Sequence, residues 1–535
     1  MIGMRGADLV VRCLEAEGVD RIFGIPGEEN LDLVDALIDS DIEFIVTKHE
    51  EGASLMAEIS GRLTHRPGVC LSTLGPGATN LVTGVADAYL SHIPMIALTG
   101  QLRRERCIPP QKQYLDLVKL FEPVSKQSIS LRDPVRITEE MRRAFDIAVS
   151  EKPGPVHIEL PEDVMKEEIE GEPVPSFKKM SVSADGAELD ALCDLIMNCK
   201  QPLIMAGYGV VRQKAERELR MFAEEWNIPV AMTWMGTGAI PFDNPLSLHT
   251  VGLRTHDFMR RAFQHADLVI LIGYDMLEFQ PVFWNIGTEK RTAHVGPLPV
   301  EPAQGFYPDL QVVGDLKLTL SSLSSHATRR KNWTIDLRKE LHSRMDELPP
   351  DEGLVKPQLA VRKIRDSLDR EDIAICDVGA HLLWMMKLYP VYKENTLIVS
   401  NGLIPMGLAV PGAIAAKLVH PERKVVAVCG DGGFMMTSCE LETAVRQDTP
   451  FVAVVFNDSG YGLIATRQRN TYGREYGVRF GNPDLVKYAE SFGAIGCRAS
   501  SAQDLGELLN ICLDEAVPCV IDVPVDYSEN AKLTK

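Results

Sequence analysis

Cationic side chains are in short supply: 56 Lys and Arg stand against 75 Asp and Glu, a formal charge of −19 at pH 7. Binding a phosphate backbone needs concentrated Lys and Arg, so this surplus of carboxylates excludes nucleic acid as a partner. Nowhere is there a Cys-x-x-Cys pair. The eleven cysteines are scattered and odd in number, which excludes a disulfide framework and a zinc site and fits a reducing cytoplasm. No apolar run approaches the roughly 18 residues that a membrane helix needs, and the opening MIGMRGADLVVRCLEAEG has no apolar signal core. The expectation is an unprocessed, soluble, cytoplasmic chain away from membranes.

What is present points to a multidomain α/β protein. At 535 residues and 45% hydrophobic, the chain is too long for one core. Short β-branched runs alternate with helical periodicity and glycine turns in IEFIVTKH, GVCLSTLGPG, MIALTGQ and VHIELP. A polar stretch from Lys166 to Asp185 interrupts the pattern, which resumes in PLIMAGYGV, IPVAMT, DLVILIGYD, TAHVG and LQVVGD. A polar segment read as helical, Ser321 to Pro357, ends in PPDEG. A third set follows in IAICDVG, TLIVSNG, KVVAVCGDGG, PFVAVVFND and PCVIDVPV. These breaks predict three doubly wound parallel-sheet domains at 1–165, 186–325 and 355–535, with the first and third as candidate structural copies.

The sharpest chemical signal is a pair of acidic turns, KVVAVCGDGGF and PFVAVVFNDSGYG, with Asp431 and Asp458 27 positions apart. Each follows a buried-strand pattern, and in an open parallel sheet ligands gather beyond the carboxyl ends of the strands. Magnesium takes octahedral oxygen ligands, commonly a couple of carboxylates with phosphate oxygens. Asp431, Asp458 and the Gly460 carbonyl would supply the protein's share. Gly432 and Gly433 lack side chains, so their N–H groups can approach a phosphate at the start of the next helix. Either turn alone reads better as an ordinary strand-to-helix connection, because Gly, Asp and Asn favour turns; it is the pair at this separation that points to a ligand.

The GDGG…ND pair resembles the cofactor motif of thiamine-diphosphate enzymes, and the whole chain resembles their acetolactate synthase group. KHEEGASLMAEISGRLT, GVCLSTLGPGATNLVTGVADAY, CDVGAHLLWM and NGLIPMGLAVPGAIAAK carry the resemblance in the same order. It implies that Glu50 hydrogen-bonds N1′ of the aminopyrimidine, promoting the imino form whose nitrogen removes the C2 proton of the thiazolium. Burial would raise the pKa of that carboxyl into the working range. It also implies that Met406 wedges between the cofactor's rings, and that Gly379, His381, Gly402, Gly430 and Tyr461 contact the cofactor. Thr73, Gly75 and Asn80 would face it from the N-terminal domain, with Gln113 at the reacting carbon. Glu50 and Asp431 would come from different subunits of a homodimer, which pairs again into a homotetramer.

Further absences sort the reaction. Decarboxylases of this superfamily carry adjacent histidines and a Glu shortly after the second metal motif; here no histidines adjoin and Ile464 stands in that place. Carboligation is therefore expected: decarboxylation of pyruvate and attack on a second 2-oxo acid, giving acetolactate. Flavin-containing synthases show an Arg after the middle-domain glycine where this chain has Asp275, so FAD is not expected. The alternatives are a non-oxidative 2-oxo acid decarboxylase or an aldehyde carboligase. Departures at Glu28, Glu29, Thr466 and Arg467 leave the acceptor open, with Arg467 either a carboxylate ligand or a solvated side chain. A non-catalytic nucleotide-binding protein is disfavoured because GPGATN and GYGVVR both lack the third glycine of G-x-G-x-x-G.

Overall fold

The computed structural model describes residues 3–176, 181–252, 260–285, 290–303, 305–326 and 336–533. Each third of the chain builds a six-stranded, wholly parallel sheet flanked by helices, so the expected three doubly wound domains are what the chain adopts. The strands are continuous apolar runs, as sheets covered on both faces require: every residue of Gly68–Ser72, Met95–Gln101, Pro202–Ala206 and Leu268–Ile272 is buried.

The N-terminal sheet uses Arg21–Gly24, Glu43–Val46, Gly68–Ser72, Met95–Gln101, Gln127–Ser130 and Pro155–Pro161. Numbered in chain order within the sheet, these lie side by side as 2-1-3-4-6-5. The C-terminal sheet uses Ile373–Cys376, Leu397–Ile398, Val425–Gly430, Val452–Asn457, Ile495–Arg498 and Cys519–Pro524, in the same order. The two outer domains are therefore topological copies. The middle sheet, from Pro202–Ala206 to Leu310–Val313, runs 3-2-1-4-5-6 instead. Strand order reverses between first and third strands in the outer sheets and between first and fourth in the middle one, which fixes where each sheet opens a crevice for ligands.

Two of the sequence expectations change in detail. The Lys166–Asp185 stretch is not wholly linker, because Glu168–Ile169 pairs antiparallel with Met4–Arg5; its residues 177–180 lie outside the described ones. Within Ser321–Pro357, residues 327–335 likewise lie outside, and the rest forms the end of helix Leu316–Ser325, helix Leu337–Met345 and a loop. Leu337, Leu341 and Met345 are buried at a four-residue spacing, and Leu337 joins the middle domain's core, so this segment is anchored rather than free.

The outer domains also pack on one another. Helix Glu50–Thr64 lies against Pro76–Leu90 within its own domain and against Ala409–Val419 of the C-terminal domain. Gly412 allows that approach: a Cβ there would sit 3.2 Å from side-chain carbons of Ile59 and Ile375. Among the described residues, no helix is long and apolar enough to cross a membrane.

Candidate active site

The switch point of the C-terminal sheet, beyond strands Ile373–Cys376 and Val425–Gly430, opens a cavity of about 220 Å3. Gly379, His381, Met406, Gly430, Asp431, Gly432, Gly433, Asp458, Gly460 and Tyr461 all line it, with Ile464 and Tyr527. Every lining residue lies between Val378 and Tyr527.

Asp431 is 1% exposed, and its carboxylate accepts the Gly432 N–H at 2.8 Å and the Asn482 side-chain amide at 2.8 Å. Asp458 accepts from Arg479 at 3.1 Å. Burial, and then the charge of Asp431, push the Asp458 carboxyl up to about 6; burial also raises Asp431. Both acidic turns line the same cavity, and the charge of Asp431 acts on Asp458, so they converge on one spot. Two carboxylates raised by burial, one of them also by the charge of the other, form a seat that a hard divalent cation would relieve.

Around that seat the backbone is bare where a phosphate would need access. A Cβ on Gly432 would meet the Tyr461 ring at 2.9 Å and Met406 Cε at 3.3 Å. On Gly433 it would come within 2.1 Å of the Asp377 carboxylate. His381 is 2% exposed, burial lowers its pKa to about 4, and its Nε2 has no hydrogen-bond partner. A neutral imidazole with an orphaned nitrogen on the wall of the cavity is what an anionic ligand there would satisfy. The residues present thus fit a magnesium diphosphate.

The N-terminal candidates gather elsewhere, at the carboxyl ends of their own sheet. Glu50 opens helix Glu50–Thr64, is 8% exposed and accepts the Asn80 amide at 2.9 Å. Gly77 stands beside it, since a Cβ there would lie 3.1 Å from Glu50 Oε1. Thr73 donates to Glu29 at 2.6 Å. Gly75, with φ of 58°, backs onto the Gln113 carbonyl; Gln113 itself is exposed with φ of 61°. Gly402 lies outside the cavity lining, its Cα against Leu90. One chain therefore holds two separate clusters of candidate residues, and none of the N-terminal candidates lines the cavity.

Sequence reasoning passed over several residues. Glu440, fully buried, accepts the N–H groups of Lys48 and His49 at 3.0 Å each and so holds the turn that leads into Glu50. Asp377 was visible in CDVGAH as an acid after a buried strand, and Glu29 stood out in IPGEEN without its bond to Thr73, whereas Asn482 left no pattern to read. At the middle sheet's switch point, Glu278 accepts the Tyr208 N–H at 3.1 and 3.0 Å and the Thr233 hydroxyl. Asp275 pairs with His92 at 3.2 Å and with Lys152.

Comparison with known proteins follows the same divisions. Three family models match: thiamine pyrophosphate enzyme, N-terminal TPP binding domain, over residues 4–119; central domain, over 189–323; and C-terminal TPP binding domain, over 377–523. An acetolactate synthase of Bacillus subtilis (strain 168) is 36% identical across 100% of this chain and 95% of its own. A catabolic acetolactate synthase of Raoultella terrigena is 35% identical across 99% and 96%. A chloroplastic acetolactate synthase of Arabidopsis thaliana is 28% identical across 98% and 82%. With its three domains in this order and this likeness along its whole length, the chain belongs to the thiamine-diphosphate enzymes, in the acetolactate synthase group.

Proposed function

We propose that this enzyme condenses two molecules of pyruvate to acetolactate with release of carbon dioxide, using thiamine diphosphate and Mg2+ and no FAD. The observation that carries the reading is the division of the site: a carboxylate-and-glycine half in the C-terminal domain and a carboxylic-acid half around Glu50. Bound thiamine diphosphate supplies a carbon nucleophile and an electron sink for the loss of carbon dioxide from a 2-oxo acid.

The protein's part is binding, orientation and proton handling. Asp431, Asp458 and the Gly460 carbonyl hold Mg2+, while the N–H groups of Gly432 and Gly433 and the imidazole of His381 meet the diphosphate. Gly430 and Gly379 leave space beside that ring; a Cβ on either would touch it, at 3.1 and 2.5 Å. Met406 and Tyr461 flank the cavity over Gly432 and support a bent cofactor. Glu50, kept in place by Asn80, takes and returns a proton at its carboxyl oxygens. Thr73 and Gly75 shape the loop beside it, and Gln113, on the separate loop that backs onto Gly75, serves at the reacting carbon. Ile464 places a hydrocarbon where a decarboxylase needs an acid, which withholds a proton source and favours a second 2-oxo acid as acceptor.

Since Glu50 does not line the cavity of its own chain, two copies complete each other's sites in a homodimer, assembled further into a homotetramer. Exposed apolar residues on or next to the cavity-lining turns, Tyr461, Ile464, Leu403 and Met436, support burial against a second copy. The Glu278 carboxylate sits on the Tyr208 N–H at the middle sheet's switch point, where a dinucleotide's phosphates would otherwise lie, which supports a flavin-free enzyme. Eleven free cysteines fit a cytoplasmic setting. Incubation with thiamine diphosphate, Mg2+ and pyruvate should yield acetolactate; acetaldehyde alone would overturn the assignment. Mixed Glu50→Gln and Asp431→Ala subunits should recover part of the activity that each lacks alone, and inactive mixed dimers would overturn the shared site.

A further inference from the structure

The chemistry above leaves Asp377 unused, yet it is 1% exposed and stands at the carboxyl end of strand Ile373–Cys376, at the switch point itself. Both its oxygens accept the Gly407 N–H at 2.9 Å, and one also accepts Leu408 N–H at 3.3 Å and Val378 N–H at 3.0 Å. Its Oδ2 occupies the space that a side chain on Gly433 would fill. On the opposite side, the Thr437 hydroxyl donates to the Gly407 carbonyl at 2.8 Å, and Thr437 ends the helix that starts at Asp431. Gly407 has φ of 93°, a left-handed conformation open to glycine. The residue after Met406 is thus gripped at its N–H by one element of the diphosphate half-site and at its carbonyl by another.

We propose that Asp377 is a positioning residue: by clamping Gly407 and Leu408 it fixes the angle at which Met406 enters the cavity, relative to the Gly430–Gly433 turn. A carboxylate suits this task because three backbone N–H groups converge on it, and charge-assisted bonds to amides are short and directional. A neutral amide in its place keeps an oxygen for the same amides, whereas a methyl group leaves them without an acceptor. The inference rests on the reading of Met406 as the support for a bent cofactor.

The test is a double-mutant cycle on the complete enzyme with Asp377→Ala, Asp377→Asn and Met406→Ala. Its readouts are kcat and KM for pyruvate, the near-ultraviolet circular dichroism of bound thiamine diphosphate, and Kd for inorganic diphosphate with Mg2+. Asp377→Ala should lower kcat ~100-fold, the loss that a displacement of ~1 Å causes, and alter the dichroism while KM and diphosphate affinity stay within ~3-fold. Asp377→Asn should restore most of the rate. Against Met406→Ala, the Asp377→Ala change should add little, because the side chain that it positions is gone. Effects that simply multiply in the double variant, or a loss of diphosphate affinity in step with kcat, would overturn the role of Asp377 alone. A Met406→Ala enzyme indistinguishable from the parent would overturn the reading of Met406 and this inference with it. Should Asp377→Ala fail to fold, Thr437→Val loosens the same residue from its carbonyl side and enters the same cycle: little added loss over Met406→Ala supports the clamp, and multiplying effects overturn it.

Discussion

Replacing Glu278 by Gln should abolish a pH dependence of stability that originates in the middle domain. The carboxylate is buried, and burial together with the neighbouring charge of Asp275 raises its pKa from 4.5 to about 7, against the pull of the Thr233 and Tyr208 bonds and of Arg212. A native pKa above the unfolded one means that the folded protein holds this proton more tightly. The stabilisation is complete below about pH 4.5 and disappears as pH rises through about 7. A tenfold change in proton affinity is worth ~1.4 kcal/mol, so the swing is on the order of 3 kcal/mol. Glutamine has the same shape, can accept from Tyr208 and does not titrate. Urea unfolding followed through Trp226 and Trp284, both buried in the middle domain, should be run on both proteins from about pH 5 to about pH 8. Subtracting one curve from the other removes every titration the two share. The difference should move in favour of Glu278→Gln by a few kcal/mol across that window. A difference that stays flat would refute the argument.

Gly433→Ala should eliminate thiamine-diphosphate binding, because its Cβ would lie 2.1 Å from Asp377 Oδ2, a contact relieved only by moving the Met406 loop or the helix start; calorimetric titration of cofactor checks it. Asn80→Ala removes the bond that holds Glu50 Oε2 at 2.9 Å and should lower kcat by ~10-fold with little change in thermal stability, since Asn80 is only partly buried.

Much of this architecture was legible because the inner strands are unbroken apolar runs ending in glycine turns: KVVAVCGDGG and DLVILIGYD announce both a strand and the crevice at its end. Two of the edge strands were not. Gln127–Ser130 and Ile495–Arg498 are short, and no residue of either is fully buried, so neither carries a hydrophobic pattern above background. For the site, motif spacing pointed to the residues that share the cavity, because those sit directly on strand-to-helix turns. It could not reveal Glu440 against Lys48, a contact between residues nearly four hundred positions apart. Nor could it reveal Glu278, whose partners lie on other turns of the middle sheet. Gly402 fits the motif pattern but packs on Leu90, which shows how a glycine needed for close helix approach imitates one needed for a ligand.

The shared strand order of the two outer sheets has a consequence for redesign. Thr73–Gly75 and Gly430–Asp431 both emerge from the third strand of their sheet, and Ile25–Gly27 and Asp377–Gly379 both emerge from the first. One strand order thus carries two different loop sets, one around Glu50 and one around the paired carboxylates Asp431 and Asp458. The two loop pairs therefore sit at corresponding positions on a common frame. Grafting between corresponding positions beyond the strand ends offers a route to altered cofactor preference that leaves the inner strands of both sheets in place.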